Sequence, residues 1–386
     1  MSVLFVEGFT GVPRGSSSPM AVGSAYILSS LGWKGKGLYN GSSAVDPTDV
    51  NQVTAVEADP IFPSRNRLSI QANIGNTAVS SYIQAARMPL NTLGYTKFVI
   101  GMVFTAYSST NSAGAFQFIV SGPTEWTTTG ATVPDQYIGL NIPDNGADGY
   151  PWMLWGAAGT TTPLIKKGKA THLELFIEQD VGRIRAYLDG TLVGDASYSG
   201  VVASANGGFN VVLRTQAPLV STYGVKVSDL YMLGVDAVHT GILGPGARVL
   251  EVAPQADFAV QWDRPTGFAS NAAVLQQYNS GAPASYLTTG DVATDLYVGP
   301  DAVAANAATV YGAAMKAYGM TMAEGTHVLT AATHYQGTDG QSAATGNLVL
   351  STMNNYVFDV SLNPKTGLKW TPSEISAAGI GIKLLS

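Results

Sequence analysis

Thr171-His172-Leu173-Glu174-Leu175-Phe176-Ile177-Glu178-Gln179-Asp180, then Val181-Gly182, then Arg183-Ile184-Arg185-Ala186-Tyr187-Leu188-Asp189-Gly190-Thr191-Leu192-Val193 is the stretch that decides the fold. Leu173, Leu175 and Ile177 alternate with His172, Glu174 and Phe176. Ile184, Ala186 and Leu188 alternate with Arg183, Arg185 and Tyr187. A period of two puts one set of side chains on one face of a strand and the other set opposite. Two such runs meeting across Asp180-Val181-Gly182 predict a β-hairpin. Asp189-Gly190 supplies a second tight turn, because glycine tolerates positive φ.

The segments on either side read the same way. Val3-Leu4-Phe5-Val6 is a first strand. Lys97-Phe98-Val99-Ile100-Gly101-Met102-Val103-Phe104 is mostly apolar, as a central strand buried on both faces should be. Ala115-Phe116-Gln117-Phe118-Ile119-Val120, Gln136-Tyr137-Ile138-Gly139-Leu140-Asn141, Asn210-Val211-Val212-Leu213-Arg214 and Gly224 to Met232 extend the series. Gly (44) and Pro (19) separate these short runs of Val, Ile, Tyr, Phe and Thr, which is the pattern of an all-β chain. Lys166-Lys167-Gly168-Lys169 is the densest basic run and reads as a solvated turn before a strand.

A chain of 386 residues exceeds the size at which one hydrophobic core stops growing, so two domains are expected. The Gly/Pro content of Asp236 to Gly246 marks a seam. It divides the chain into a sandwich over 1–238 and a β-rich domain over 239–386. In the second part Ala247-Arg248-Val249-Leu250-Glu251-Val252, Thr294 to Val298, His327 to Thr330, Asn347 to Ser351 and Tyr356 to Val360 read as strands. Residues 307–320 are ambiguous. Tyr311, Ala314, Met315 and Tyr318 lie at helical spacing, whereas Val310, Gly312, Ala314 and Lys316 would share one face of a strand; the neighbouring strands favour the second reading.

Charged residues make up only 12% of the chain, about half the usual share, and the 20 basic and 26 acidic residues leave a net charge of −6. Charge-poor surface suits faces that meet other subunits. The lack of a basic stripe argues against nucleic acid as a partner. There is no cysteine, which excludes disulfides, thiolate catalysis and cysteine-ligated zinc. No apolar run is long enough to cross a membrane as a helix, so membrane insertion is not expected. The opening Met1-Ser2-Val3-Leu4-Phe5-Val6-Glu7 lacks the basic head and apolar run of a signal peptide, so synthesis in a cytoplasm is expected.

Several of these segments resemble phage-encoded proteins with a concanavalin A-like, laminin-G-like jelly roll. Leu4-Phe5-Val6-Glu7-Gly8-Phe9 resembles their first strand, and His172 through Val193, with its Asp189-Gly190 turn, their most recognisable hairpin. Val227-Ser228-Asp229-Leu230-Tyr231 resembles the closing strand. Gly246-Ala247-Arg248-Val249, Ala256-Asp257 before Gln261-Trp262, Asp295-Leu296-Tyr297 and Asn363 to Pro372 are similar to the region that follows in the same proteins. There the closing segment is a Pro/Gly turn, an exposed-looking tryptophan and a short last strand, here Ile380 to Leu384. The resemblance implies an N-terminal jelly-roll sandwich followed by a smaller β-sandwich-like domain. It also implies a role in a virion, as a tail, baseplate, fibre or capsid-surface part.

The search for chemistry starts with carboxylates, because a jelly roll can be a glucanase. Glycoside hydrolysis needs two carboxyl groups flanking one bond. Glu174, Glu178 and Asp180 share parity, but their spacing departs from the Glu-x-Asp-x-Glu of retaining glucanases. They read as the solvated face of a half-exposed strand. His172, His239, His327 and His334 do not reach metal-ligand spacing, and no nucleophile elbow or phosphate loop is present. Asp144-Asn145-Gly146-Ala147-Asp148-Gly149 is an oxygen-rich loop that reads as a hairpin turn, with calcium as the other reading. Trp126, Tyr150, Trp152 and Trp155 fall in or beside Gly/Pro-rich loops. Core packing, a subunit interface and a glycan platform are all open to them. The resulting expectation is a non-enzymatic, cofactor-free virion protein that binds copies of itself and other virion proteins. A host-glycan-binding lectin is the alternative and a glucanase the remote one.

Overall fold

The computed structural model describes residues 2–7, 34–38, 54–58, 66–72, 82–91, 95–108, 114–121, 137–142, 149–150, 152–154, 157–158, 165–166, 168–197, 208–217, 223–235, 241–250, 253–276, 286–298, 309–351 and 354–386. They form two compact units. One is Glu7–Val249; the other is Leu250–Ser386 together with Met1–Val6. The class is all-β, and the larger unit stacks two antiparallel sheets as a sandwich.

In the larger unit, one sheet runs in spatial order Thr191–Ser197, Arg183–Leu188, Ala170–Glu178, Lys97–Ser108, Tyr223–Gly234, Asn66–Ala72, Thr54–Ala58. The other runs Ala157–Ala158, Trp152–Leu154, Tyr137–Ile142, Gly114–Ser121, Gly208–Ala217, Tyr82–Asn91, Lys34–Leu38. The hairpin forms as its periodicity requires, with Leu175 opposite Ala186 and Ile177 opposite Ile184. Asp189 and Gly190 both take positive φ, 47° and 79°, as a two-residue turn with right-handed strand twist demands. Lys97–Ser108 is central, flanked by Ala170–Glu178 and Tyr223–Gly234, and its residues 98–104 are buried on both faces. Leu173, Leu175, Ile177, Phe98, Ile100 and Met102 make the apolar face, each at most 4% exposed.

Tyr223–Gly234 carries a bulge. Ser228 pairs with Val103 and Tyr231 with Gly101, so Asp229 and Leu230 together oppose one residue. Asp229 sits at φ 52°, a left-handed conformation that aspartate tolerates better than most residues. The bulge resets the alternation and brings Tyr231 to the same face as Gly101 and Glu174.

The smaller unit has a five-stranded sheet in the order Ala256–Ala259, Thr294–Val298, Gly379–Leu384, Val328–Tyr335, Thr338–Asn347, and a two-stranded sheet of Ala314–Gly319 with Asn354–Asp359. Leu329, Ala331, Phe358, Val360 and Leu384 form its core, with Met315, Ala317 and Tyr356 packed against them. Residues 314–319 are therefore strand, paired Met315 to Phe358 and Ala317 to Tyr356, and the helical spacing there carries no helix. Two expected strands do not form. Residues 247–250 are irregular: the Ala247 N–H turns back to Gly244 O, and the Val249 N–H goes to the Asp229 carboxylate. Residues 348–351 leave the sheet after Asn347 and form one parallel bridge, Leu350 to Thr321. Trp370, expected to look outward, is 2% exposed, and its indole N–H donates to Val360 O at 2.7 Å.

Candidate functional site

Period-2 alternation places His172, Glu174, Phe176 and Glu178 on the face opposite the apolar one. That face is not solvated along its length. Glu174 is fully buried, which corrects the half-exposed reading. The cover is the segment 241–249. Glu174 Oε1 accepts the Leu243 N–H and Oε2 the Gly244 N–H, both at 2.8 Å. The Tyr231 hydroxyl donates to Glu174 Oε1 at 2.7 Å. An ionised carboxylate accepts several hydrogen bonds and donates none, so it can terminate two consecutive amides and a phenol at once.

Tyr231 is held from its other side by His172 Nε2, 3.2 Å from the hydroxyl oxygen. Since the hydroxyl proton goes to Glu174, His172 must donate from Nε2, and the neutral ring then leaves Nδ1 bare. Nδ1 is indeed buried without a hydrogen-bond partner, 3.9 Å from Glu174 Oε2. Burial and the neighbouring Glu174 both push the Tyr231 phenol far above its ordinary range, so it stays protonated. The backbone of His172 is tied to the turn, its N–H donating to Asp189 Oδ1 at 2.9 Å while the Asp189 N–H returns to His172 O at 2.8 Å.

Burial lowers the His172 pKa, opposed by the Glu174 and Asp189 charges and aided by Arg248. The unfolded chain therefore takes up the proton first, near the ordinary value of about 6.5. Folded stability is full above that pH and falls as pH drops below it, by up to about 1.4 kcal/mol per pH unit until the folded ring also protonates. Urea titrations between pH 7.5 and 5 should show this slope for the native chain. They should show a smaller one for His172→Gln; equal slopes would contradict the assignment.

Asp229, on the bulge, does for Val249 what Glu174 does for Leu243 and Gly244. Its Oδ1 accepts the Val249 N–H at 2.7 Å, and Arg248 Nε lies 3.9 Å from Oδ2. Farther along the hairpin, Glu178 accepts from Arg185 at 2.9 Å and from Lys97 at 3.4 Å; Lys97 also reaches Asp180 at 3.4 Å. Arg183 pairs with Asp195, and the Arg185 guanidinium lies 4.5 Å from the Phe176 ring centroid. Glu174 and Glu178 are four residues apart on one strand, about 13 Å by strand rise, beyond the separation that either glycosidase geometry uses.

The smaller unit is organised around a second buried carboxylate. Asp295 Oδ1 accepts the Gln261 and Trp262 N–H groups at 2.6 and 2.8 Å. Its Oδ2 accepts Asn271 Nδ2 at 2.9 Å and the Tyr297 hydroxyl at 2.6 Å. Asp257 takes the N–H groups of Asn271 and Ala272, at the start of the short helix Asn271–Gln276.

The aromatic candidates are not brought into one described site. Trp126 and Trp155 lie outside the described residues, as do Asp144 to Asp148 and His239. Tyr150 and Trp152 stand in short paired strands rather than loops, Tyr150 opposite Ile165 and Trp152 opposite Leu140. His334 Nδ1 meets Asp339 at 2.6 Å and His327 Nδ1 the Ser386 carbonyl at 3.2 Å. Among the described residues no group of three or more His, Cys, Asp or Glu could hold a metal ion.

The groups missed in the sequence are Asp229, Tyr231, Asp257, Asp295 and Tyr297. A signal for four of them was present: Ser228-Asp229-Leu230-Tyr231 and Thr294-Asp295-Leu296-Tyr297 place the same Asp-Leu-Tyr in a strand of each unit. In both, the Asp captures at least one backbone amide and the Tyr donates to a buried carboxylate. An Asp inside an apolar strand run needs buried partners, which is the physical content of the motif.

No protein-family description matches the sequence, and no curated protein matches it. Solved structures that resemble part of the chain include a sialidase, at 12% identity and a TM-score of 0.30, covering 49% of this chain and 18% of the sialidase. The carbohydrate recognition domain of Emp47p is 10% identical, with a TM-score of 0.32, over 57% of this chain and 100% of that domain. The alginate lyase Aly36B, as a mutant bound to alginate trisaccharide, is 14% identical, with a TM-score of 0.35, over 60% and 98%. At such values the likeness carries nothing beyond the all-β class that the strands themselves show.

Proposed function

We propose that this chain is a non-enzymatic building block of a phage particle, working by association with copies of itself and with other virion proteins. The observation that carries the assembly part is an exposed apolar patch on the smaller unit. Met320, Met322, Val349 and Leu350 are 38%, 74%, 45% and 49% exposed, and the bridge from Thr321 to Leu350 holds their two segments side by side. Across 318–327 and 347–351 the only charged residue besides histidine is Glu324. Clustered exposed apolar side chains, unlike ones scattered singly, mark interaction sites. The non-enzymatic part rests on Glu174 and Asp295, whose carboxylate oxygens are filled by structural donors. The phage part rests on the sequence resemblance given above.

A second reading, binding of host glycan, is favoured by Phe258. The residue is 43% exposed, and its ring lies over Gly379 and sits 5.2 Å from the His334 ring beside Asp339. Light scattering of the purified chain at several concentrations tests the first reading. A closed oligomer that becomes monomeric with Met322→Lys and Leu350→Lys together is expected. A native chain that stays monomeric at every concentration, yet binds on a glycan array, would move the assignment to the second reading.

A further inference from the structure

The segment 241–249 is joined to the sandwich in an unusual way. No backbone–backbone hydrogen bond connects it to a strand among the described residues; its one such bond is internal, Ala247 N–H to Gly244 O at 3.0 Å. Arg248 Nη1 turns back on its own segment, to Pro245 O at 2.8 Å and Ala247 O at 2.6 Å, while its Nε lies 3.9 Å from Asp229 Oδ2. The main-chain donors that do reach the sandwich are those of Leu243, Gly244 and Val249, and all end on Glu174 or Asp229. Only Ala247 and Val249 bury their side chains, at 6% and 7% exposure; Pro245, Gly246 and Arg248 are exposed.

We propose that residues 241–249 form a strap that opens as one piece, held shut by the Glu174 and Asp229 carboxylates, and that its opening bares the His172–Glu174–Tyr231 face of the sheet. A strand released from a sheet must break a ladder of bonds to its neighbours. This segment has no such ladder among the described residues, so its hold on the sandwich is the two carboxylates, with Arg248 beside Asp229 and the buried Ala247 and Val249 side chains. Segments with few buried apolar contacts and no sheet bonds open below the global unfolding free energy. The three groups that the carboxylates accept are backbone amides, so this part of the latch depends on charge and position at Glu174 and Asp229.

Hydrogen exchange of the full chain, read by mass spectrometry on peptides covering 241–250, 172–178 and 226–234, tests this. In the native chain the strap should exchange well ahead of both strands. Glu174→Gln puts an amide N–H₂ against a backbone N–H and should speed strap exchange by about ten- to a hundredfold, the worth of one charged hydrogen bond. Asp229→Asn keeps the left-handed backbone position that asparagine also tolerates, and should speed Leu243 and Gly244 as well as Val249. Both variants should leave the strand peptides at native rates. Three results would each overturn the proposal: native strap and strands exchanging together, Asp229→Asn affecting Val249 alone, or either variant accelerating strap and strands equally. If Glu174→Gln fails to fold, the native comparison and Asp229→Asn decide.

Discussion

Replacing Asp295 with alanine is expected to cost the smaller unit on the order of 4 kcal/mol, from the loss of one acceptor that serves several buried donors. Asp295 is fully buried, and its two oxygens receive the Gln261 and Trp262 amides, the Asn271 side-chain amide and the Tyr297 hydroxyl. Alanine leaves the Gln261 and Trp262 amides and the Tyr297 hydroxyl without this acceptor, while Asn271 Nδ2 keeps the Trp262 carbonyl at 2.9 Å; each unmet buried donor costs about 1–3 kcal/mol, less where water can enter. The site has no room to be bypassed by backbone movement. Gly381 on the next strand lies so close that a Cβ there would stand 1.8 Å from the Asp295 carbonyl oxygen. Asp295→Asn keeps one acceptor oxygen and should cost about half as much, and Tyr297→Phe about 1 kcal/mol, since it removes a donor together with its need. In calorimetry the alanine variant should lower the Tm of this unit by roughly ten degrees or more. A shift of one or two degrees would mean that the donors find other partners and that Asp295 does not organise the unit.

The parts of the fold that local chemistry dictates were legible in the sequence. The hairpin, the Asp189-Gly190 turn and the central strand from Lys97 follow from period-2 alternation, glycine at positive φ and an unbroken apolar run. The helix Pro372–Ala377 was also written locally and was missed. Thr371 caps it, with Glu374 reaching back to the Thr371 N–H, and Pro372 opens it, which is a complete capping box. What was not legible is whatever depends on distant chain. Glu174 looks like a solvent-facing residue because its cover comes about seventy residues later, as irregular backbone with no pattern of its own. Ala247 to Leu250 reads as a strand by composition, yet the Val249 N–H goes to the Asp229 carboxylate and the Ala247 N–H back to Gly244 O. Trp370 reads as exposed from its place after a Gly turn, but a carbonyl at Val360 receives its indole N–H. In each case hydrogen bonds to chain elsewhere override a pattern that is correct on average.

Gly101→Ala is expected to destabilise the sandwich by about 3 kcal/mol, at the top of the range for overpacking, although it adds one methyl group to a strand. A Cβ on residue 101 would lie 2.1 Å from Tyr231 Cζ and 2.3 Å from its hydroxyl oxygen. Such an overlap is harmless only where the opposing atom ends a flexible chain, and the Tyr231 ring is not free to swing. Its hydroxyl is fixed between Glu174 and His172, and its residue is 4% exposed. Moving the ring therefore breaks the polar network as well as the packing. The glycine is the counterpart of the tyrosine, a strand position emptied so that a ring can lie flat across the backbone. That makes the expected coupling specific. In a Tyr231→Ala background the clash is gone, and adding Gly101→Ala should change stability by less than about 0.5 kcal/mol. In a Tyr231→Phe background the ring remains while its hydrogen bonds do not, so Gly101→Ala should still be costly, by about 1–3 kcal/mol. If alanine at 101 were tolerated in the native background, the ring would not be held over the strand there. The same cost in all three backgrounds would place the effect in the strand itself and not in its contact with Tyr231.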